Sequence, residues 1–398
     1  MTDKPSICLF HTGRALPHIL LGEGPEQAGG AEVRASILAR ALARRGWPLT
    51  FIICDYGQPD ELVTDDGIRL LKAGAPRGGL PVLRFFTHTL PADIRAVRRA
   101  DAAVYVGFGA NWHAGALARE CHRSGRRFLL WIASSSDPHV RRKDISLASP
   151  HERWLAQQGL KRADVVIAQT DEQRDAMREL YGRDCPVIPN VWDVTPCAGE
   201  KADPPEVFWA ARYLPLKRPE MVLEIARRLP EIKFVMAGGP VSGHEDLYER
   251  VQREAALLPN VETLGFVPFA EIDRYYARAS VYLCTSTIEG FPNTFLQAWN
   301  HKTPVVSTYN PDGMLSSGDV GVAGDDIETL VDGVARLCGE EGRQMGVRAR
   351  QHLERVHSVE AVLPKLEAVL MGEGSWTHSG DRCPTAPDTT QSSSEGRR

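Results

Sequence analysis

The sequence predicts an α/β protein built from two successive Rossmann-like domains, each a doubly wound parallel sheet facing a central cleft. Three observations carry that prediction. Short apolar stretches of strand length alternate with amphipathic helical patterns almost from end to end. The alternation stops at residues 190–206, NVWDVTPCAGEKADPPE, which is rich in Pro, Asp, Gly and Lys and has no period; it then restarts. The length, 398 residues with 43% hydrophobic and 25% charged, suits more than one ordinary globular domain.

Taken in order, SICLF, EVRASILARALARRG and PLTFIIC read as strand, helix and strand. AAVYVGF, WHAGALARECHRSG and RFLLWIA repeat the unit, and ADVVIAQT leads into the helical DEQRDAMRELYG. These place a first domain over residues 1–189 and a linker over 190–206. Beyond it, EVFWAARY, PEMVLEIARRL, IKFVMAGG, NVETLGF, SVYLCTS, PNTFLQAW and TPVVST build a second domain over 207–357. Residues 372–398 are polar and low in apolar content, as in disordered tails.

Composition excludes several classes. A net charge of −4 is not that of a dedicated nucleic-acid binder, so no nucleic-acid partner is expected. The start, MTDKPSICLF, lacks a basic region followed by a long apolar one, and no run approaches the length of a membrane span. The eight cysteines are scattered without a Cys-x-x-Cys pair, which predicts reduced, mostly buried thiols in a cytoplasmic protein.

Three pieces are suited to phosphate. In GEGPEQAGGAEVRASILARAL, Gly29 and Gly30 lack Cβ atoms and precede a helix, where free N–H groups can bind an anion. A plain turn is the alternative for that pair. There is no Gly-x-Gly-x-x-Gly after the first strand and no Gly-Lys-Ser/Thr, which argues against nicotinamide dinucleotides and P-loops. In WAARYLPLKRPE, Arg212 follows a strand and Lys217 lies in the next loop, two cations able to neutralise a diphosphate; a solvated basic loop is the alternative. In TIEGFPNTFLQAW, Glu289 ends a strand, the amides near Asn293–Phe295 open a helix, and Gln297 lies farther along it. Glu289 can accept from a sugar hydroxyl and Gln297 can bond a ribose, unless they are a loop acid and an exposed helix residue.

Together these stretches, in this order and over about residues 5–370, resemble the family 4 retaining glycosyltransferases of the GT-B fold, the group 1 glycosyl transferases. The resemblance implies that Arg212 and Lys217 bind the donor diphosphate. It implies that Glu289 and Gln297 fill the family's two-glutamate motif, with seven residues between them. Gly265, Phe266 and Val267 would line the base pocket, while Gly290, Phe291, Pro292, Asn293 and Thr294 would surround the donor. Helical residues 358–371 would pack back on the first domain. Two positions depart from the family. Gln297 stands where the second glutamate belongs, and Ala133-Ser134-Ser135-Ser136 occupies the place of a histidine near the reacting sugar. His113, Ser134 and Asp137 are the candidate substitutes, His113 the catalytic one.

The implied reaction moves a sugar, most simply from a UDP-sugar, to a glycan or lipid-linked acceptor with retention at the anomeric carbon. No cofactor is implied. Asp65-Asp66 and Asp325-Asp326 are adjacent loop pairs rather than an Asp-x-Asp triplet, so cations and helix N-termini rather than a metal would support the leaving diphosphate. The family implies delivery of the acceptor on the leaving-group face, with a phosphate oxygen taking its proton. Two rivals remain: a nucleotide-sugar epimerase or hydrolase on the same fold, and a non-catalytic nucleotide-sugar-binding subunit. Two segments, LPVLRFFTHTLPADIRAVRRAD and RRKDISLASPHERWLAQQGLKRAD, mix basic with apolar residues and suggest peripheral contact with the inner face of a membrane; a solvated basic face is the alternative.

Overall fold

The computed structural model describes residues 4–23, 29–75, 85–142, 149–197 and 199–374. The tail predicted over 372–398 therefore falls almost wholly outside the described residues, as do 80–84 and 143–148 of the two basic–apolar segments.

The first sheet contains β1 (Ile7–Phe10), β2 (Leu49–Ile53), β3 (Glu61–Val63), β4 (Arg69–Lys72), β5 (Val104–Phe108), β6 (Arg127–Trp131) and β7 (Val165–Ile167). Their order is β3-β4-β2-β1-β5-β6-β7, with only β3 antiparallel to its neighbour. That edge strand pairs Glu61 with Leu71 and Val63 with Arg69. Its alternating exposed and half-buried residues gave no buried run to read in the sequence. Helices α1 (Leu16–Leu20), α2 (Gly30–Arg44), α3 (Leu90–Ala100), α4 (Trp112–Arg123), α5 (Pro150–Arg162) and α6 (Asp171–Tyr181) cover the faces. The strands are buried on both faces, which is why they read as continuous apolar runs.

The second sheet is wholly parallel, β10-β9-β8-β11-β12-β13. It is built from β8 (Glu206–Ala210), β9 (Lys233–Ala237), β10 (Val261–Gly265), β11 (Val281–Cys284), β12 (Val305–Ser307) and β13 (Gly321–Ala323). Around it lie α7 (Pro219–Arg228), α8 (Glu245–Ala255), α9 (Phe269–Arg278), α10 (Asn293–Asn300), α11 (Met314–Ser317), α12 (Ile327–Leu337) and α13 (Glu340–His352). The chain then returns. Helix α14 (Val359–Met371) buries Val362, Leu363, Leu366 and Leu370 in the core of the first domain. Glu367 on it takes hydrogen bonds from Arg45 at 2.7 Å and Trp47 at 2.8 Å.

Both crossings between the domains run side by side. The Trp192 amide donates to the His357 carbonyl at 2.8 Å, and His357 Nδ1 meets the Asn190 carbonyl oxygen at 2.7 Å. In each sheet the strand order reverses beside the first strand, between β1 and β5 and between β8 and β11. Ligands of doubly wound sheets sit beyond the carboxyl ends of such strands. Among the described residues no helix is long and apolar enough to cross a membrane.

Candidate active site

The cationic side of the cleft starts at the carboxyl end of β8. The Arg212 side chain is exposed and makes no hydrogen bond or ion pair among the described residues, while its carbonyl accepts the Leu214 amide at 2.9 Å. Lys217 ends a short 3₁₀ turn, Pro215–Lys217, and its Nζ donates to Oε1 of Glu289. The two side chains are 17% and 20% exposed, so the pair is largely shielded yet open to a ligand. The loops that carry them are stitched together. Thr285 Oγ1 donates to the Lys217 carbonyl at 2.5 Å, Arg218 Nε to the Thr285 carbonyl at 2.7 Å, and the Thr287 amide to the Leu216 carbonyl at 2.9 Å. An ammonium has three donors, so Lys217 can hold Glu289 and still offer N–H groups to phosphate oxygens.

The loop after Glu289 presses against the first domain. Ser135 donates from both its amide and its hydroxyl to the Glu289 carbonyl, at 3.0 and 2.7 Å. A Cβ on Gly290 would collide with the Ala133 carbonyl oxygen, so only glycine fits there. The Phe291 amide donates to Gln169 Oε1 at 3.0 Å. Of the amides near Asn293–Phe295 expected to be suited to phosphate, that of Phe295 is taken by the Pro292 carbonyl at 3.0 Å. The amides of Asn293 and Thr294, at the start of α10, are the ones without a hydrogen bond among the described residues.

Gly29 and Gly30 meet the same helix from the other side. Asn293 Nδ2 donates to the Gly30 carbonyl at 2.6 Å, and a Cβ on Gly30 would stand 3.0 Å from that nitrogen. The Gly29 amide is not free for an anion, because Glu32 Oε2 accepts it at 2.7 Å. Glu32 also accepts from the Ala15 amide at 2.9 Å, tying the loop after β1 to the start of α2.

Gln297 is 6% exposed rather than solvated, and its Nε2 has no hydrogen-bond partner among the described residues. A buried amide N–H without a partner costs free energy. Gly265, at φ 66, accepts the Gly238 amide through its carbonyl at 2.8 Å. Phe266 beside it is 42% exposed, and Val267 packs on the apolar cluster of α10.

His113 is placed elsewhere. It stacks on Trp112 with ring centroids 3.6 Å apart, and its Nε2 lies 3.3 Å from Asp93 Oδ2. With His11, Thr12 and Asn111 it lines a cavity of about 60 Å³ between the ends of β1 and β5. None of its hydrogen bonds or ion pairs reaches Glu289 or Lys217. Of the other substitutes, Ser134 pairs with Ser136 at 2.8 Å. Asp137 is a half-buried strut: one carboxylate oxygen accepts the amides of Ala110, Ala133 and Ser134 at 3.1, 2.7 and 3.3 Å. Burial raises its pKa against the pull of those bonds and of Arg34.

Several residues of the cleft carried no assigned role in the sequence. Arg34 is 1% exposed between the rings of Phe108 and Trp131, and burial lowers its pKa to about 10. Its Nη1 donates to Asn190 Oδ1 at 2.7 Å; Nε and Nη2 have no partner among the described residues. Asn190 Nδ2 then donates to the Phe291 carbonyl at 3.0 Å and to Asn293 Oδ1 at 2.9 Å. The signal for Arg34 was its place on the apolar i, i+4 stripe with Leu38 and Leu42.

Residues 29–191 match the family described as "Glycosyl transferase 4-like domain", and residues 204–340 match "Glycosyl transferases group 1". This chain belongs to the group 1 glycosyltransferases. A D-inositol 3-phosphate glycosyltransferase of Kineococcus radiotolerans is 27% identical over 326 residues, covering 71% of this chain and 74% of the relative. A sucrose-phosphate synthase from Thermosynechococcus elongatus superposes with a TM-score of 0.74 at 18% identity, over 93% of this chain and 99% of that one. HepE of Anabaena, in complex with UDP and glucose, gives 0.68 at 15% identity over 92% and 100%. The glycosyltransferase therefore has the GT-B architecture that its motifs implied.

Proposed function

We propose that this glycosyltransferase is a retaining, metal-independent enzyme that moves a sugar from a nucleoside-diphosphate sugar to a glycan or lipid-linked acceptor in polysaccharide or glycoconjugate biosynthesis. The donor is most simply a UDP-sugar, a choice supported by the UDP and glucose in the HepE complex. The observation that carries the reading is the Lys217–Glu289 pair, with Arg212 open beside it, at the reversal of the second sheet and against the first domain. Lys217, Arg212 and the Asn293 and Thr294 amides would hold the diphosphate and stabilise its charge as it leaves. Glu289 would face the sugar, where a carboxylate favours developing positive charge, and Gln297 would bond the ribose. Gly265, Phe266 and Val267 would border the base. His113, with Asp93 behind it, would meet the acceptor side of the cleft rather than the donor. The enzyme would work in the cytoplasm, at the membrane only peripherally.

The test is turnover with UDP-, GDP- and ADP-sugars against glycans, lipid-linked acceptors and inositol phosphates, the last suggested by the name of the Kineococcus relative. Acceptor-dependent release of nucleoside diphosphate, unchanged by EDTA, with the product's anomeric configuration retained by NMR, is the expected result. Equal release without acceptor would make the protein a hydrolase or epimerase, and tight binding without turnover a non-catalytic subunit.

A further inference from the structure

The second domain touches the first at another place, at the start of α6. Beyond β12 the chain runs Tyr309-Asn310-Pro311-Asp312-Gly313, and Asp312 sits at φ 50, in the left-handed region that a side chain adopts at a cost. Both of its carboxylate oxygens are used. Oδ2 accepts the Asp171 amide at 2.8 Å and Oδ1 the Glu172 amide at 2.9 Å. These are the first two N–H groups of α6, which have no partner within their own helix, while Thr170 Oγ1 serves Gln173 at 3.2 Å. An acid from one domain thus caps a helix of the other, where the helix dipole favours negative charge.

The surroundings make this contact conditional. Asp171 and Glu172 add two further carboxylates at the same corner, of which only the first is paired among the described residues, with Arg174 at 2.6 Å. Without the two amides to bind, Asp312 would face those acids with nothing in return. The same loop also reaches the candidate site, since the Tyr309 hydroxyl donates to the Gly290 carbonyl at 2.9 Å. One short segment therefore connects the start of α6 to the glycine that seats against Ala133.

We propose that Asp312 is a positioning residue for sugar transfer: a latch that holds the cleft closed by capping α6 across the domain boundary and so seats Glu289 and Gly290 against the first domain. Its kinetic consequence rests on the glycosyltransferase reading above; the latch itself is measurable without turnover. Closure supplies the binding-competent state, so loss of the latch lowers the competent fraction and raises the apparent donor constant in proportion. Saturating donor restores closure, so kcat moves less than KM.

The experiment compares wild type with Asp312→Gly and Asp312→Asn. Glycine accepts the left-handed backbone without strain, so it removes the carboxylate while leaving the loop able to form. Asparagine keeps one acceptor oxygen and tolerates the same conformation. Hydrogen exchange of a peptide covering Asp171 and Glu172 and the radius of gyration by small-angle scattering are measured on the ligand-free protein, with thermal unfolding alongside. In Asp312→Gly, faster exchange at those amides, a larger radius and a donor KM raised about fivefold with kcat within about twofold are expected, with Asp312→Asn in between. Unchanged exchange and radius in Asp312→Gly would overturn the latch, as would a lowered unfolding temperature with no change in KM. If no nucleotide sugar is turned over at all, the transferase reading fails, while exchange and scattering still decide the latch.

Discussion

The two faces that meet across the cleft are made of different materials. The second domain presents charge that a ligand can reach: Arg212 in the open, Lys217 and Glu289 partly shielded, and the bare amides of Asn293 and Thr294. The first domain presents charge that a ligand meets only after entering the interior. Arg34 is buried between two aromatic rings, Asp137 is consumed by three backbone amides, and Gln169, Asn190 and Ser135 offer neutral contacts to the opposing loop. A diphosphate needs accessible cations, so the accessible face is the one suited to hold it. The other face is suited to shape, closure and the exclusion of water. The difference teaches that one cleft can divide electrostatics from geometry between its walls.

The sharpest way to break this division is to remove charge from the accessible face. Lys217→Ala should cost roughly 2–4 kcal/mol of transition-state stabilisation, about 30- to 900-fold in kcat/KM, as for loss of a preorganised donor. Glu289→Gln keeps the shape and removes the charge, so kcat should fall strongly with little change in donor affinity. Steady-state kinetics with saturating acceptor measure both. Lys217→Ala within about twofold of wild type would return the pair to the status of a surface ion pair.

A test of the geometric face follows. Gly290→Ala places a methyl group against the Ala133 carbonyl and close to Gln169 Oε1, at 2.9 Å. The second domain has no steric reason to unfold, yet the loop can no longer seat. At least a tenfold loss of kcat/KM is expected, with the unfolding temperature shifted by only a few degrees. Equal loss of stability and activity would mean that the loop's role is in folding rather than closure.

Acid should act on the buried wall and on the hinge. Burial, then Arg34 and His113, lowers the pKa of His11 to about 4; burial lowers His357 to about 3 and also lowers His352. Each is depressed below its unfolded value of 6.5, so all stay neutral in both states above that pH and contribute nothing there. Below it the unfolded chain takes up protons that the folded chain refuses. Stability should then fall as pH drops below about 6.5, by up to roughly 1.4 kcal/mol per pH unit each for His11 and His357, with His352 acting in the same direction. Urea midpoints between pH 7.5 and 5 measure the slope, and His357→Gln should flatten it by about one proton. An unchanged slope would place that imidazole in contact with water.

What was legible in the sequence follows the same division. Strand–loop–helix units with cations or an acid after the strand are local patterns, so the positions of Arg212, Lys217 and Glu289 after their strands could be read directly, and the meeting of Lys217 with Glu289 fits the reversal of strand order between β8 and β11. The second wall is made by contacts between residues far apart. Gln169 finds Phe291 across 122 positions and Arg34 finds Asn190 across 156, and no period encodes either. His113 was read as a replacement for the missing histidine because it follows a neighbouring strand; its ring instead turns toward Asp93 and Trp112. The Gly29 amide was misjudged for a local reason: Glu32, three residues on, satisfies it, an arrangement that the Gly-Gly-Ala-Glu spacing itself permits. For the segment around α3, read as basic and apolar, the described part turns Ala96, Val97 and Ala100 into the core and pairs Arg98 with Glu120 at 2.6 Å. Those three apolar residues are thus already used. Trp154 on α5, 58% exposed, is the aromatic that still faces outward from the other segment.

The smallest expected effect falls where the two materials meet. Gln297 lies on the helix of the accessible face yet is buried among Phe295, Trp299 and their neighbours, with its Nε2 unpartnered among the described residues. If that amide bonds the donor's ribose equally in the ground and transition states, Gln297→Ala should raise the donor KM about tenfold or less and leave kcat nearly unchanged. Gln297→Glu is more informative. In the ligand-free protein it places a carboxylate where only 6% of the side chain reaches solvent, so the variant should lose stability when neutral pH keeps it ionised. A bound ribose would supply hydroxyl donors to that carboxylate, so the donor should restore more unfolding temperature to Gln297→Glu than to wild type. Thermal unfolding of both proteins over a donor titration decides it. Equal donor-induced shifts would remove Gln297 from the ribose and leave it as a packing residue of α10.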